Sequence, residues 1–207
     1  MPQNVVQPAS KIIYLTFDDG PVPEVTPWVL SQLAQYNALA TFFCVGDNVR
    51  RNTDIFNEVV EAGHSVGNHT FNHLNGWSTP AKTYLDNVAE CAAFVSSNLF
   101  RPPYGRVSAR QAQVLHRDYE IVMWDVLSGD FDQTLQPENC YENVIKHTRS
   151  GSILLFHDSI KASRNLFYAL PRVLAYFSQL GYQFKALPMK STQNQTNPSM
   201  QPALMSV

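Results

Sequence analysis

The sequence predicts one α/β domain built as a parallel barrel of about seven strands, and three observations carry that reading. Apolar strand-like runs alternate with amphipathic helical segments along most of the chain. The runs are continuous in apolar residues, as in strands buried on both faces of a helix-covered parallel sheet. About seven such units repeat, which suits a barrel better than an open sheet. At 207 residues the chain can fill one core and is too short for two domains of ordinary size.

In chain order the strand runs are Ile12–Phe17, Ala40–Val45, His64–Asn68, a short one near Leu99–Arg101, Glu120–Val126, Ser152–Phe156 and Tyr182–Leu187. Between them lie the helical segments Glu24–Tyr36, Ile55–Ala62, Ala81–Asn98, Ser108–Arg117, Pro137–His147 and Asn165–Leu180. Ser108 is placed to cap its helix, and Gly63 and Gly181 to stop theirs. Pro171 is expected in the first turns of its helix, where a missing N–H costs little. Residues 1–10 read as an N-terminal extension and 11–187 as the domain. Residues 188–207 are polar, amide-rich and aperiodic, and read as a flexible tail.

A formal charge of -2 and a pI near 6.3 leave no electrostatic footprint for nucleic acid. No apolar run approaches the roughly 18 residues that span a bilayer. The N-terminal stretch MPQNVVQPASK lacks the features of a secretory signal. The compartment is therefore the cytoplasm, or outside it after removal of a leader. Cys44, Cys91 and Cys140 form neither a CxxC pair nor a disulfide framework, and read as small buried hydrophobes. Oligomeric state is not legible.

The unusual polar residues follow the apolar runs: Asp18 and Asp19, Asn68 and His69, Arg101, Asp125 and Asp130, and His157. Parallel barrels build their sites from the loops at the carboxyl ends of the strands, so five segments deliver acids, histidines and an arginine to one face. Asp18–Asp19 behind a buried run is costly unless something positive meets it, and neighbouring carboxylates point apart, which suits one metal ligand and one base. His69 and His73, spaced i, i+4, share a face if the segment makes a helical turn. HxxxH alone is common. With a carboxylate from another strand end it becomes two His and one Asp with open positions, the pattern of a catalytic metal site. Thr70 is placed to hydrogen-bond within this loop. Two prolines stiffen Phe100–Gly105 and preorganise Arg101 and the peptides around Tyr104. His157 at an apolar strand end needs a carboxylate partner to stay protonated, with Asp125 and Asp130 as candidates. His64 reads as structural, and His116 and His147 as helix-end residues.

Taken in order, TFDDGP, HTFNH, FRPPYG, WDVLSGDF and LLFHD resemble the five motifs of the polysaccharide deacetylase family, the NodB-homology domain or carbohydrate esterase family four. The resemblance spans roughly residues 11–187. It implies a distorted (β/α) barrel with fewer repeats than the eightfold form. It also implies Asp18 as catalytic base, and Asp19, His69 and His73 as ligands of a divalent metal, usually Zn2+, with Co2+, Ni2+ or Mn2+ as alternatives. Arg101 would orient and electrostatically tune Asp18, and the Tyr104 N–H would stabilise the oxyanion. His157 would be the catalytic acid, with Asp130 adjusting its pKa, and Leu155 would shape the pocket for the acetyl methyl. One departure is visible: Phe131 stands where the family often has Trp. The expected reaction is removal of N-linked acetyl groups from an N-acetylated glycan, chitin-like or peptidoglycan. The competing readings are an O-acetyl esterase on xylan-like substrates and a carbohydrate-binding pseudoenzyme. Trp77, Tyr104 and Phe131 could stack on sugar rings, with core packing the alternative for Phe131.

Overall fold

Seven strands make one continuous parallel path in the order β5-β4-β3-β2-β1-β7-β6. They are β1 Ile12–Asp18, β2 Ala40–Cys44, β3 Ser65–Asn68, β4 Leu99–Phe100, β5 Glu120–Ile121, β6 Val126–Leu127 and β7 Ile153–His157. An eighth, β8 Gln183–Phe184, pairs with the first residues of β1. The helices are α1 Thr26–Ala34, α2 Gly46–Arg51, α3 Thr53–Glu61, α4 Ala81–Ala92, α5 Ala109–Leu115, α6 Pro137–His147 and α7 Ser163–Gln179. This computed structural model describes residues 11–189. The expected extension 1–10 and all of the expected tail beyond 189 lie outside the described residues.

The expected strand Glu120–Val126 is in fact two. Val122 N still donates to Phe100 O beside β4, whereas Asp125 N donates to Ile153 O beside β7. Three residues of extended chain span at most about 10 Å, so the two edges of the sheet come that close. The sheet is therefore curled into a distorted barrel, closed at this seam by chain rather than by a ladder of hydrogen bonds.

Side chains alternate across the curled sheet. Ile13, Leu15 and Phe17 of β1 face the helices and join Leu33, Phe42, Phe156, Leu166 and Leu170 in the main core. Tyr14, Phe43, Leu99, Val122, Ile153 and Leu187 form a smaller apolar cluster inside the barrel. The two periodic sets put Thr16 and Asp18 on the inner side, at its carboxyl end. All three cysteines are buried and free, as expected.

One helix was not expected, and two local expectations need correction. The segment Gly46–Arg51 is helical, held at its last turn by Arg50 and Arg51, which pair with Asp47 at 2.6 and 2.7 Å. It is too short to show a period. Helix α4 stops at Ala92 rather than near Asn98, and Ser97 Oγ accepts from Leu99 N at the start of β4, a side-chain bond that competes with helix. Pro171 lies in the middle of α7, not in its first turns. An interior proline costs about 3 kcal/mol. Leu166, Leu170, Val173, Leu174 and Phe177 on the same helix are buried, and at about 1.5–3 kcal/mol each their packing outweighs that cost.

Ser108 caps α5 as expected, in a reciprocal box: its hydroxyl accepts from Gln111 N, and Gln111 Oε1 accepts from Ser108 N at 2.8 Å. Replacing Ser108 with Ala should lower the unfolding free energy by about 0.5–2 kcal/mol. Urea titration would show this as a lower midpoint at constant slope, and an unchanged midpoint would mean the cap contributes nothing.

Candidate active site

Strand β1 ends on Asp18, and Asp19 follows with φ 87°, a left-handed conformation unusual for a non-glycine residue. Strand β3 ends on Asn68, and His69 follows. The segment from His69 to His73 is not the helical turn that its spacing suggested. It is an irregular loop with Thr70 at φ 63° and His73 at φ 56°. Its shape comes from side chains bonding to backbone: Thr70 N to Asn68 Oδ1 at 2.9 Å, Leu74 N to Thr70 Oγ1 at 3.1 Å, and Asn72 N to Asn87 Oδ1 at 2.9 Å. Thr70 thus plays the spacing role expected of it. The two imidazole centroids lie 5.1 Å apart.

Asp19 Oδ1 is 3.1 Å from His73 Nε2 and 3.7 Å from His69 Nε2. One donor atom from each of the three residues falls within 4.8 Å of the others. Oδ1 is shielded from solvent, yet makes no hydrogen bond of acceptable geometry. His69 Nδ1 lies 2.7 Å from Arg101 O. A carbonyl only accepts, so Nδ1 carries the proton and the Nε2 lone pair points toward the carboxylates. Burial pushes the His69 pKa down to about 4, which leaves the ring neutral. Burial disfavours the charge of Asp19, but His73 beside it, with His157 and His69, outweighs burial and holds its carboxyl well below the usual range. A solvent-shielded, unbonded oxygen facing imidazole nitrogens, one of them a fixed lone pair, fits a divalent cation.

Arg101 is fully buried. Its Nη1 donates to Asp18 Oδ1 at 2.8 Å and Thr16 Oγ1 at 2.7 Å, its Nε to Val122 O and its Nη2 to Met123 O. Its guanidinium stacks over Phe43 at 4.1 Å. Asp18 Oδ2 lies 3.8 Å from His69 Nε2. This acid therefore stands against the three-residue cluster, oriented from behind by Arg101.

On the adjacent strand, His157 is the register partner of Asp18. Its Nδ1 lies 2.8 Å from Asp130 Oδ1, and its N–H donates to Asp130 Oδ2 at 2.7 Å. Burial works against protonation of His157, but the Asp130 charge and hydrogen bond, aided by Asp19 and Asp18, raise its pKa to about 9. Asp125, the other candidate partner, is at the wrong end of the strand. It accepts from Ile153 N at 2.6 Å and Ser152 Oγ at 2.8 Å, pinning the start of β7.

These groups open into one cleft of about 630 Å³, walled by Tyr104, Trp124, Leu127, Phe131 and Leu155 with Arg106 and Lys161. Tyr104, at φ 60°, sets its ring edge-on to His73 at 4.6 Å. Phe131 does the same to His157 at 5.3 Å, so it is a wall of the cleft rather than core packing. Trp77 does not line the cleft. It is 68% exposed, with the Arg106 guanidinium 5.1 Å over its ring. Sequence reasoning passed over Thr16, Arg106, Trp124, Lys161 and the buried Asp158, although Thr16, Trp124 and Asp158 all lie within the stretches it singled out. His64 is structural as expected: its Nδ1 accepts from Ala40 N at 3.1 Å.

The family model for polysaccharide deacetylase matches residues 6–120. The chain belongs to the polysaccharide deacetylase family. Among curated relatives, this deacetylase is 35% identical over 181 residues to a peptidoglycan-N-acetylglucosamine deacetylase of Bacillus cereus, covering 84% of this chain and 85% of that one. It is 34% identical to a chitooligosaccharide deacetylase of Azorhizobium caulinodans, over 70% of this chain and 73% of that one. Among solved structures, the Bc1960 peptidoglycan N-acetylglucosamine deacetylase superposes with a TM-score of 0.81 at 28% identity, covering 86% of this chain and 87% of that chain.

With no metal added, His157 should remain protonated well above its ordinary value of 6.5 and lose its proton near pH 9. The stability contributed by its pair with Asp130 is then complete below 6.5 and lost as pH rises through about 9. Imidazole NMR titration should show this, with Asp130→Asn moving the midpoint down. A midpoint at or below 6.5 in the unsubstituted protein would refute the coupling.

Proposed function

We propose that this deacetylase hydrolyses the N-acetyl group of an amino sugar in a peptidoglycan- or chitooligosaccharide-type glycan, using a divalent ion, zinc foremost, held by Asp19, His69 and His73. The observation that carries the reading is the pairing across one cleft of two differently equipped groups. Asp18 sits beside the ligand cluster, and His157 lies in register with it on the next strand, kept protonated by Asp130. A base and an acid at the two sides of a ligand cluster are what amide hydrolysis needs. The names of the relatives point to N-acetylated glycans.

A divalent cation at the triad would polarise the acetyl carbonyl and acidify the attacking water. Asp18 takes the proton from that water, its carboxylate aimed by Arg101. The Tyr104 N–H, on the stiff turn after Pro102 and Pro103, supports the oxyanion. Leu155, which lines the cleft, packs against the acetyl methyl. His157 gives its proton to the departing amine, without which the C–N bond would not break. Asp130 fixes the ring and keeps that proton available at neutral pH. Phe131 keeps the apolar wall beside His157.

Acetate release should be seen with N-acetylglucosamine oligomers or peptidoglycan fragments and be far slower with acetylated xylan. The reverse order would make the enzyme an O-acetyl esterase. Asp18→Asn should lower kcat by at least about 100-fold, the scale of general-base catalysis, while elemental analysis still finds the metal bound. Chelation should abolish activity and added zinc restore it, and full activity in a chelated, metal-free sample would sink the mechanism.

A further inference from the structure

Asp19 owes its left-handed conformation to its surroundings, since a non-glycine residue at φ 87° is held there only if its neighbours over-determine it. The peptide that follows it is gripped at both ends. Its carbonyl, Asp19 O, accepts from Asn48 Nδ2 at 2.7 Å. Its N–H, on Gly20, donates to Asp158 Oδ1 at 2.9 Å. Asn48 belongs to α2 and Asp158 directly follows β7, so two elements far apart in sequence hold the two ends of one peptide plane. The second oxygen of Asp158 accepts from Thr26 Oγ1 at 2.6 Å, and that hydroxyl in turn accepts from Val22 N at 2.8 Å. The packing leaves no slack: a Cβ on Gly20 would lie 1.9 Å from Asp158 Oδ2.

Asp158 has no exposed surface and, among the described residues, no ion pair with a basic side chain. A carboxylate so placed is costly, and no step of the proposed hydrolysis uses it. The bonds that it accepts from beyond its own backbone come from Gly20, in the loop that carries Asp19, and from Thr26, the first residue of α1 after that loop.

We propose that Asn48 and Asp158 are positioning residues that lock the Asp19–Gly20 peptide plane and so preset the Asp19 carboxylate for a divalent cation. The proposal rests on the metal-binding reading above. With either end released, Asp19 relaxes toward negative φ and its carboxylate leaves the vicinity of His69 and His73. The clamp therefore controls how tightly the ion is held rather than the chemistry once it is held.

The test uses the metal-free full chain as unsubstituted protein, Asn48→Ala, Asp158→Ala and the double variant, each titrated with Zn2+ by calorimetry, with thermal unfolding of the metal-free forms in parallel. Each single substitution should weaken zinc binding by about 10–100-fold, the scale for groups that orient a ligand. The double variant should lose less than the product of the two, because both groups hold one plane. kcat should return toward the unsubstituted value at saturating zinc. Folded variants that bind zinc within about twofold of the unsubstituted protein, or losses that multiply in full, would overturn the clamp. If Asp158→Ala does not fold, Asn48→Ala, half-buried on α2, decides by its affinity and its zinc rescue. Failure of the unsubstituted chain to bind zinc would overturn the metal assignment and the clamp with it, a result distinct from unchanged affinity in the variants.

Discussion

The architecture of this deacetylase depends on the buried ion pair between Arg101 and Asp18. Arg101 follows β4 and Asp18 ends β1, with β3 and β2 between them in the sheet. On a flat sheet three strand spacings amount to about 14 Å, yet the charged groups meet at 2.8 Å. The pair is a chord across the curled sheet. Its guanidinium also collects the carbonyls of Val122 and Met123, from the chain that crosses the seam. Curvature, closure and orientation of the proposed base thus share one side chain. A buried pair of this kind is weak evidence for net stability, since desolvation offsets the attraction, but removing one partner costs about 3–5 kcal/mol. Losing either half alone leaves the other charge buried and uncompensated.

Much of this was legible in the sequence, for a physical reason. Strands buried on both faces must be apolar almost throughout, so a polar residue there marks a strand end or a site. That logic pointed to Asp18, His69, Arg101 and His157; the structure brings Asp18, His69 and His157 to one cleft and sets Arg101 behind Asp18. The cap at Ser108 was equally readable, because its chemistry is local. What composition and spacing left open, the ordered motifs resolved by resemblance. They chose Asp130 over Asp125, and the structure agrees for a reason that spacing does not encode: Asp125 faces the opening residues of β7 and Asp130 its end.

The misreadings have a common origin. The continuous apolar look of Glu120–Val126 conceals a change of hydrogen-bonding partner from β4 to β7, which is a fact about curvature. The i, i+4 spacing of His69 and His73 is met by a loop with Thr70 and His73 left-handed, shaped by local bonds from Asn68 and Thr70 and by Asn87, 15 positions beyond Asn72. Pro171 survives mid-helix because tertiary burial outweighs a local penalty. Asp158 was visible as a letter beside His157, but its partners lie 132 and 138 positions away in the chain. In all but the histidine loop, whose bonds are partly local, the deciding contact is remote.

One earlier detail, the register of β1 against β7, has a mechanical meaning. Asp18 and His157 stand opposite each other on adjacent parallel strands, so the gap between their backbones is set by the interstrand spacing of about 4.8 Å. That spacing is a gauge block, cut from the peptide group itself and beyond the reach of side-chain substitution. Loop growth on the rim can change which polymer arrives and how it lies. The span between the proposed base and the proposed acid stays the same.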